Sequence, residues 1–311
     1  LHFRHRIAHV GGVSRSVVIV DQFAPEARAL RQVFDERFAE PRSTRADRFV
    51  WDWWHVPGQY TALRTPAWTY FPRGIYERFH RGLVAWGRET LGCHDISPPW
   101  LSLYVEGCRQ ELHGDLPHGP WAFVYSLTNW RGRKFSGGET LLVRDEVLDF
   151  WHDFRSVRAV EEHELLRAIE PRFDRLTAFD PRIPHGVRTV TGTRDPREGR
   201  LVIHGWFVQP RPFVRGPLAV KALSSRIGEL GDALAIGQLP IAGLVSFAFD
   251  VDRRGAVKSV RVLSDTTRVP HDHERERARL VRRLTKTIAA WTFGKQRGPS
   301  RVTLPIVFER G

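Results

Sequence analysis

Apolar and polar positions along the chain fall into three regimes. Near the start, Val17, Val18, Ile19 and Val20 form a short β-branched run that reads as a strand. Pro25 stands where a first helical turn begins, and Ala27, Leu30, Val33, Phe34 and Phe38 recur at helical spacing. That stripe predicts an amphipathic helix covering a sheet. Residues 40 to 73 keep no period, are polar and aromatic, carry "WDWW" at 51 to 54, and read as a long surface loop. The Trp cluster suits either a core or a substrate platform. Ile75, Phe79, Leu83 and Trp86 form a second helical stripe, and Gly92 supplies its stop.

From Trp100 the period shortens. "WLSLYVEG", "WAFVYSLTNW", "ETLLV", "RLTAFD", "GVRTV" and "RLVIHGWFVQP" are aromatic or β-branched and bounded by Gly, Pro or charged turns. Strands of this length and spacing suggest a jelly-roll or a barrel, interrupted around 145 to 170 by a charged, weakly helical stretch. "QPRPFVRGP" at 209 to 217 then marks a boundary. Beyond it, Val245, Phe247, Phe249 and Val251 alternate, "DRRG" turns into "AVKSVRVL", Leu280, Leu284 and Ile288 place a helix, and Val302, Leu304, Ile306 and Phe308 form a last strand. The pattern therefore predicts two domains, 1–215 and 216–311, the second small and α+β.

Composition narrows the class without fixing the function. The chain has 311 residues, 41% hydrophobic and 27% charged, as expected of a globular protein with a substantial core. The longest apolar runs are strand-length, so no membrane span is expected. The first ten residues have basic positions but no apolar core, so they do not read as a secretory signal. The chain contains no Met, which fits a piece of a longer product. Two cysteines, Cys93 and Cys108, read as buried thiols in a reducing, cytoplasmic setting. A net charge of +13 admits a polyanionic partner, but Arg is scattered and no basic run alternates with aromatics, which speaks against nucleic acid.

The chemistry gathers around "RQELHGDLPH" at 109 to 118. His113 and Asp115 suit either a polar strand end or two ligands of a metal. His185 in "FDPRIPHGV" can complete a set of two imidazoles and one carboxylate, which leaves positions open on an iron. Arg200 in "RLVIHGWF" can clamp a carboxylate through paired hydrogen bonds, and Arg194 in the preceding loop is its rival. His118 and His204 read as packing or supporting residues.

Residues 14 to 208 resemble the Fe(II)- and 2-oxoglutarate-dependent dioxygenases, in their prolyl 4-hydroxylase-like branch. The resemblance rests on "LYVEGCRQELHGD", "SLTNW", "GGETLLV", "FDPRIPHGV" and "RLVIHGWF" in that order. It implies a mainly β fold with flanking helices, a double-stranded β-helix with iron at one end. It implies His113, Asp115 and His185 as iron ligands and Arg200 as partner of the cosubstrate's distal carboxylate, with Tyr104 and Thr140 beside it. It implies a hydroxylase using iron(II), 2-oxoglutarate and dioxygen, with ascorbate in support. The substrate would be a peptide, protein or small molecule, prolyl or otherwise. Residues 240 to 308 resemble the carboxy-terminal domain of TonB-like transducers, which implies docking of a protein partner. The alternative is a non-catalytic jelly-roll scaffold with a docking domain, binding nucleic acid or not.

Overall fold

The computed structural model describes residues 16–40, 50–115, 118–145, 147, 161–231 and 239–309. The basic first ten residues and most of the expected helical interruption, 148–160 with His152, lie outside these. Two compact units emerge: Leu1–Leu83 with Ile96–Phe207, and Val84–Asp95 with Val208–Gly311. The sequence pattern had put the break at 215 and left residues 84–95 with the first domain.

In chain order the strands are β1 (Val17–Asp21), β2 (Asp52–Val56), β3 (Tyr60–Pro66), β4 (Cys93–Ile96), β5 (Trp100–Tyr104) and β6 (Arg109–His113). Then come β7 (Trp121–Ser126), β8 (Thr140–Val143), β9 (Leu166–Ile169), β10 (Arg175–Phe179), β11 (His185–Val187) and β12 (Arg200–Pro210). Pairing runs β1-β10-β7-β12-β5-β3-β6-β11-β8-β9, with β2 beside β3. Every pair along this path is antiparallel. Strand β3 turns the corner: Leu63–Pro66 pair with β5, whereas Tyr60 and Thr61 pair with β6. Side chains from β7 and β12 consequently share one cavity with side chains from β8 and β11. The chain is mainly β, and this curled sheet is a half-barrel of the double-stranded β-helix type.

Alternation on the strands decides what faces the cavity. On β12 Arg200, Val202, His204 and Trp206 point in, while Leu201, Ile203 and Phe207 are fully buried on the other face. The expected helix forms at Ala27–Phe38, burying Ala27, Leu30 and Phe34. The second runs Arg73–Thr90, and Gly92 follows at φ +75°, a left-handed conformation that ends it cheaply.

The interval 40 to 73 differs from the loop expected of it. Among the described residues it holds the β2–β3 hairpin and a short helix, Ala67–Tyr70. Gly58, at φ +72°, makes the turn, and mostly exposed β2 needs no apolar period. The Trp cluster divides accordingly. Trp51 packs edge-on against Phe34 and Tyr70, Trp53 stays 60% exposed, and Trp54 lines the cavity.

In the second unit β13 (Phe213–Arg215), β14 (Gly243–Val251), β15 (Val257–Asp265) and β16 (Ser300–Phe308) pair in the order β13-β16-β14-β15. Val245, Phe247 and Phe249 of β14 share a core with Leu280, Leu284 and Ile288 of the helix Glu274–Ala289. A further helix, Val220–Gly228, had no clear signature in the sequence. Residues 84–95 belong here by contact: Ser246 Oγ donates to the Leu91 carbonyl at 2.6 Å, and Thr303 Oγ1 to the Glu89 carbonyl at 3.3 Å. Among the described residues no helix is long and apolar enough to cross a membrane.

Candidate active site

His113 ends β6 and His185 begins β11, and the two are register partners. Asp115 follows β6 in a loop tied down by its backbone N–H, which donates to the Pro181 carbonyl at 2.9 Å. Pairing therefore brings Asp115 and His185, 70 positions apart, together, with ring centroids of the two histidines 4.4 Å from each other. One ligand atom from each of His113, Asp115 and His185 lies within 4.8 Å of the others. Gly186 makes this possible: a Cβ there would sit 2.4 Å from the Gln110 carbonyl oxygen of β6.

The hydrogen bonds fix which nitrogen faces inward. His113 Nδ1 is 2.9 Å from the Glu111 carbonyl, and His185 Nδ1 is 2.8 Å from that of Ile183. A carbonyl can only accept, so each Nδ1 carries the hydrogen and each neutral ring turns an Nε2 lone pair inward. Asp115 meets them with Oδ1 3.3 Å from His113 Nε2 and Oδ2 3.2 Å from His185 Nε2. Two lone pairs, that of His113 accepting from Gln110 Nε2 at 3.1 Å, and a carboxylate converge, an arrangement that suits a cation. Burial raises Asp115, but hydrogen bonds donated by protonated His113 and His185 outweigh it and hold the carboxyl well below its usual range, so protons compete with a cation for the same three groups. Burial lowers His113, but Asp115 and the Glu111 carbonyl raise it on balance. The donor set, two imidazoles and one carboxylate, suits a redox-active divalent iron.

The cavity around this cluster has a volume of about 760 Å³. At one wall stands Arg200, 1% exposed, across the β5–β12 pairing from Tyr104. Its Nη2 donates to Thr140 Oγ1 at 3.1 Å, and its guanidinium carbon lies 4.6 Å from the centre of the Tyr104 ring. Nε and Nη1 are buried and have no acceptor among the described residues. An anion with two oxygens would satisfy both. The rival Arg194 is exposed and does not line the cavity. His118 lies against Trp206, 4.5 Å between ring centres, and His204 accepts or donates at Ser102 Oγ, 2.8 Å away. Burial, reinforced by Arg200 and Arg64, pushes the His204 imidazole down to about 3, so it stays neutral.

Sequence reasoning passed over Arg64. It stands on β3, lines the same cavity, and lies 3.0 Å from the Trp54 ring centre and 4.4 Å from that of Trp100. The signal was present as the alternation Tyr60, Ala62, Arg64 after a Pro-Gly turn. Cys93 and Cys108 are both buried free thiols, as expected, and burial pushes Cys93 up to about 12.

No protein-family model and no curated protein sequence matches the chain, and the resemblance of residues 240 to 308 to TonB-like domains finds no support. Solved structures do match. A Pseudomonas putida prolyl-4-hydroxylase is 16% identical, with a TM-score of 0.43, covering 63% of this chain and 94% of that one. A Trichoplax adhaerens prolyl hydroxylase, solved with a hypoxia inducible factor peptide, is 16% identical, TM-score 0.41, covering 63% and 84%. HygX from Streptomyces hygroscopicus, solved with nickel and 2-oxoglutarate, is 12% identical, TM-score 0.40, covering 61% and 82%.

Proposed function

We propose that the first unit is an Fe(II)- and 2-oxoglutarate-dependent oxygenase that hydroxylates a C–H bond of a peptide, protein or small molecule. The observation that carries this reading is the pairing, within one cavity, of a convergent His113–Asp115–His185 cluster with a buried arginine whose Nε and Nη1 lack acceptors among the described residues. His113, Asp115 and His185 would hold the iron. Arg200, with Thr140 and Tyr104, would hold the distal carboxylate of 2-oxoglutarate. When bound, metal and cosubstrate supply the oxidising power, releasing succinate and carbon dioxide as the substrate gains an oxygen atom.

The chain's own residues then bind, orient and exclude. Backbone carbonyls of Glu111 and Ile183 lock the two imidazoles in the tautomer a metal needs. Neutral His204 and Ser102 add uncharged polar groups to a wall that also carries Arg200 and Arg64. Phe179 packs edge-on against His185 at 4.8 Å and keeps water from that side.

Anaerobic titration with Fe(II), followed by succinate measurement with 2-oxoglutarate and oxygen, tests the reading. Asp115→Ala is expected to lose iron binding and succinate formation while keeping its unfolding temperature within a few degrees, because it stands at a cavity rather than in a core. Full turnover in Asp115→Ala would sink the assignment.

A further inference from the structure

Two arginines line the cavity, and the proposed chemistry uses one. Arg64 is the other. Strands β2, β3 and β5 lie side by side, which puts Trp54, Arg64 and Trp100 on one face. The guanidinium sits in the corner of the two indoles, whose ring centres are 6.1 Å apart. Tyr60 stacks on Trp54, and Trp68 leans on Trp100, extending the aromatic wall. The indoles hold Arg64 in place but accept none of its hydrogens in the plane of the guanidinium, and its buried Nε has no acceptor among the described residues. Asp52, its register partner on β2, is exposed and forms no ion pair with it among the described residues. Glu111, the one acid besides Asp115 among the described residues that line the cavity, is engaged by Arg109 at 2.7 Å.

Counting formal charges makes the point sharper. A divalent iron and Arg200 balance Asp115 and a dianionic cosubstrate, so the filled metal site is neutral without Arg64. One positive charge is left over, fixed beside flat apolar rings.

We infer that Arg64 is a specificity-determining residue that binds the carboxylate of a substrate with a flat, apolar body seated on Trp54, Tyr60, Trp68 and Trp100. This rests on the oxygenase reading above, in which Arg200 is taken by the cosubstrate. A carboxylate meets a guanidinium edge through parallel hydrogen bonds, and pre-positioning by the indoles lowers the ordering cost.

The test uses the full chain loaded with nickel(II) and N-oxalylglycine, which hold the metal and cosubstrate places without turnover. Calorimetry follows phenylacetate and its neutral counterpart, phenylacetamide. The acid is expected to bind at least about tenfold tighter than the amide, and Arg64→Gln to weaken the acid roughly ten- to a hundredfold while leaving the amide unchanged. Arg64→Lys should restore part of the loss. Equal affinities, no measurable binding of the acid, or a loss shared by the amide overturns the inference. So does a loss of N-oxalylglycine affinity in Arg64→Gln, which would give Arg64 to the cosubstrate. If the wild type takes up neither nickel nor N-oxalylglycine, the oxygenase reading fails. The contrast between acid and amide, measured on the unloaded chain, then still decides Arg64 by the same outcomes.

Discussion

Replacing Arg200 by Met separates what the residue costs the fold from what it gives the ligand. Arg200 is 1% exposed, and Thr140 accepts a hydrogen bond from its guanidinium at 3.1 Å. A buried cation with unmet donors is held against a desolvation penalty, so an apolar isostere should leave the ligand-free protein equally or more stable. Binding should move the other way. Removing a buried charged partner costs roughly 2–5 kcal/mol, about thirty- to several-thousand-fold in affinity for 2-oxoglutarate. At a concentration a hundred times the wild-type Kd, ligand adds about 2.7 kcal/mol to stability; a hundredfold weaker variant gains only about 0.4 kcal/mol. For a unit of this size that is a shift of roughly 5–10 °C against about 1 °C. Thermal unfolding of the iron-loaded chain under anaerobic conditions, with and without 2-oxoglutarate, reads both effects at once. Arg194→Met, at an exposed position outside the cavity, serves as the control and should keep the full shift. A retained shift in Arg200→Met, or a lost one in Arg194→Met, would refute the placement of the clamp.

Two further predictions concern the histidines. Burial, with Arg200 and Arg64, depresses His204 to about 3 from 6.5, so the unfolded chain takes up a proton first as pH falls. Its neutral form thus contributes stability that is present above about pH 6.5 and lost progressively towards pH 3, roughly 2 kcal/mol of it between pH 7 and 5. Denaturant unfolding at both pH values should show a smaller difference in His204→Gln, and an identical difference would count against the assignment. Gly186→Ala would set a Cβ 2.4 Å from the Gln110 carbonyl oxygen and 3.0 Å from that of Glu111, forcing β11 off β6. It should cost about 1–3 kcal/mol and weaken iron binding with it, since His185 moves with the strand; unchanged unfolding and unchanged metal titration would show that the strands can absorb the methyl group.

What could be read from residues alone followed the strength of the local signal. His113, Asp115, His185 and Arg200 stand at strand ends or on strands whose apolar patterns were plain, and pairing carries those ends to one cavity. The β2–β3 hairpin was missed because β2 has an exposed outer face and its tryptophans break any alternation. Arg64 was missed with it: an arginine in an apparent loop looks solvated, and its value comes only from Trp54 and Trp100 on two flanking strands. The helix Arg73–Thr90 was legible as an element, whereas the allegiance of its last turns was not. Contacts such as Glu89 with Thr303 span 214 residues, and no local period encodes them.

That split allegiance bears on how the chain is made. Synthesis proceeds from the amino terminus at about 5–20 residues per second, so Glu89 is released from the ribosome roughly 10–40 seconds before Thr303 exists. Leu91 waits 155 residues for the Ser246 hydroxyl that binds its carbonyl. Every proposed ligand of the metal emerges after Glu89 and before Ser246, so that cluster is complete while Glu89 and Leu91 still lack their partners on β14 and β16. Just after them, Cys93–Ile96 finds its strand partner in β12, which is made before β14 and β16. The carbonyls of Glu89 and Leu91 thus wait for hydroxyl donors on strands that are among the last to be made.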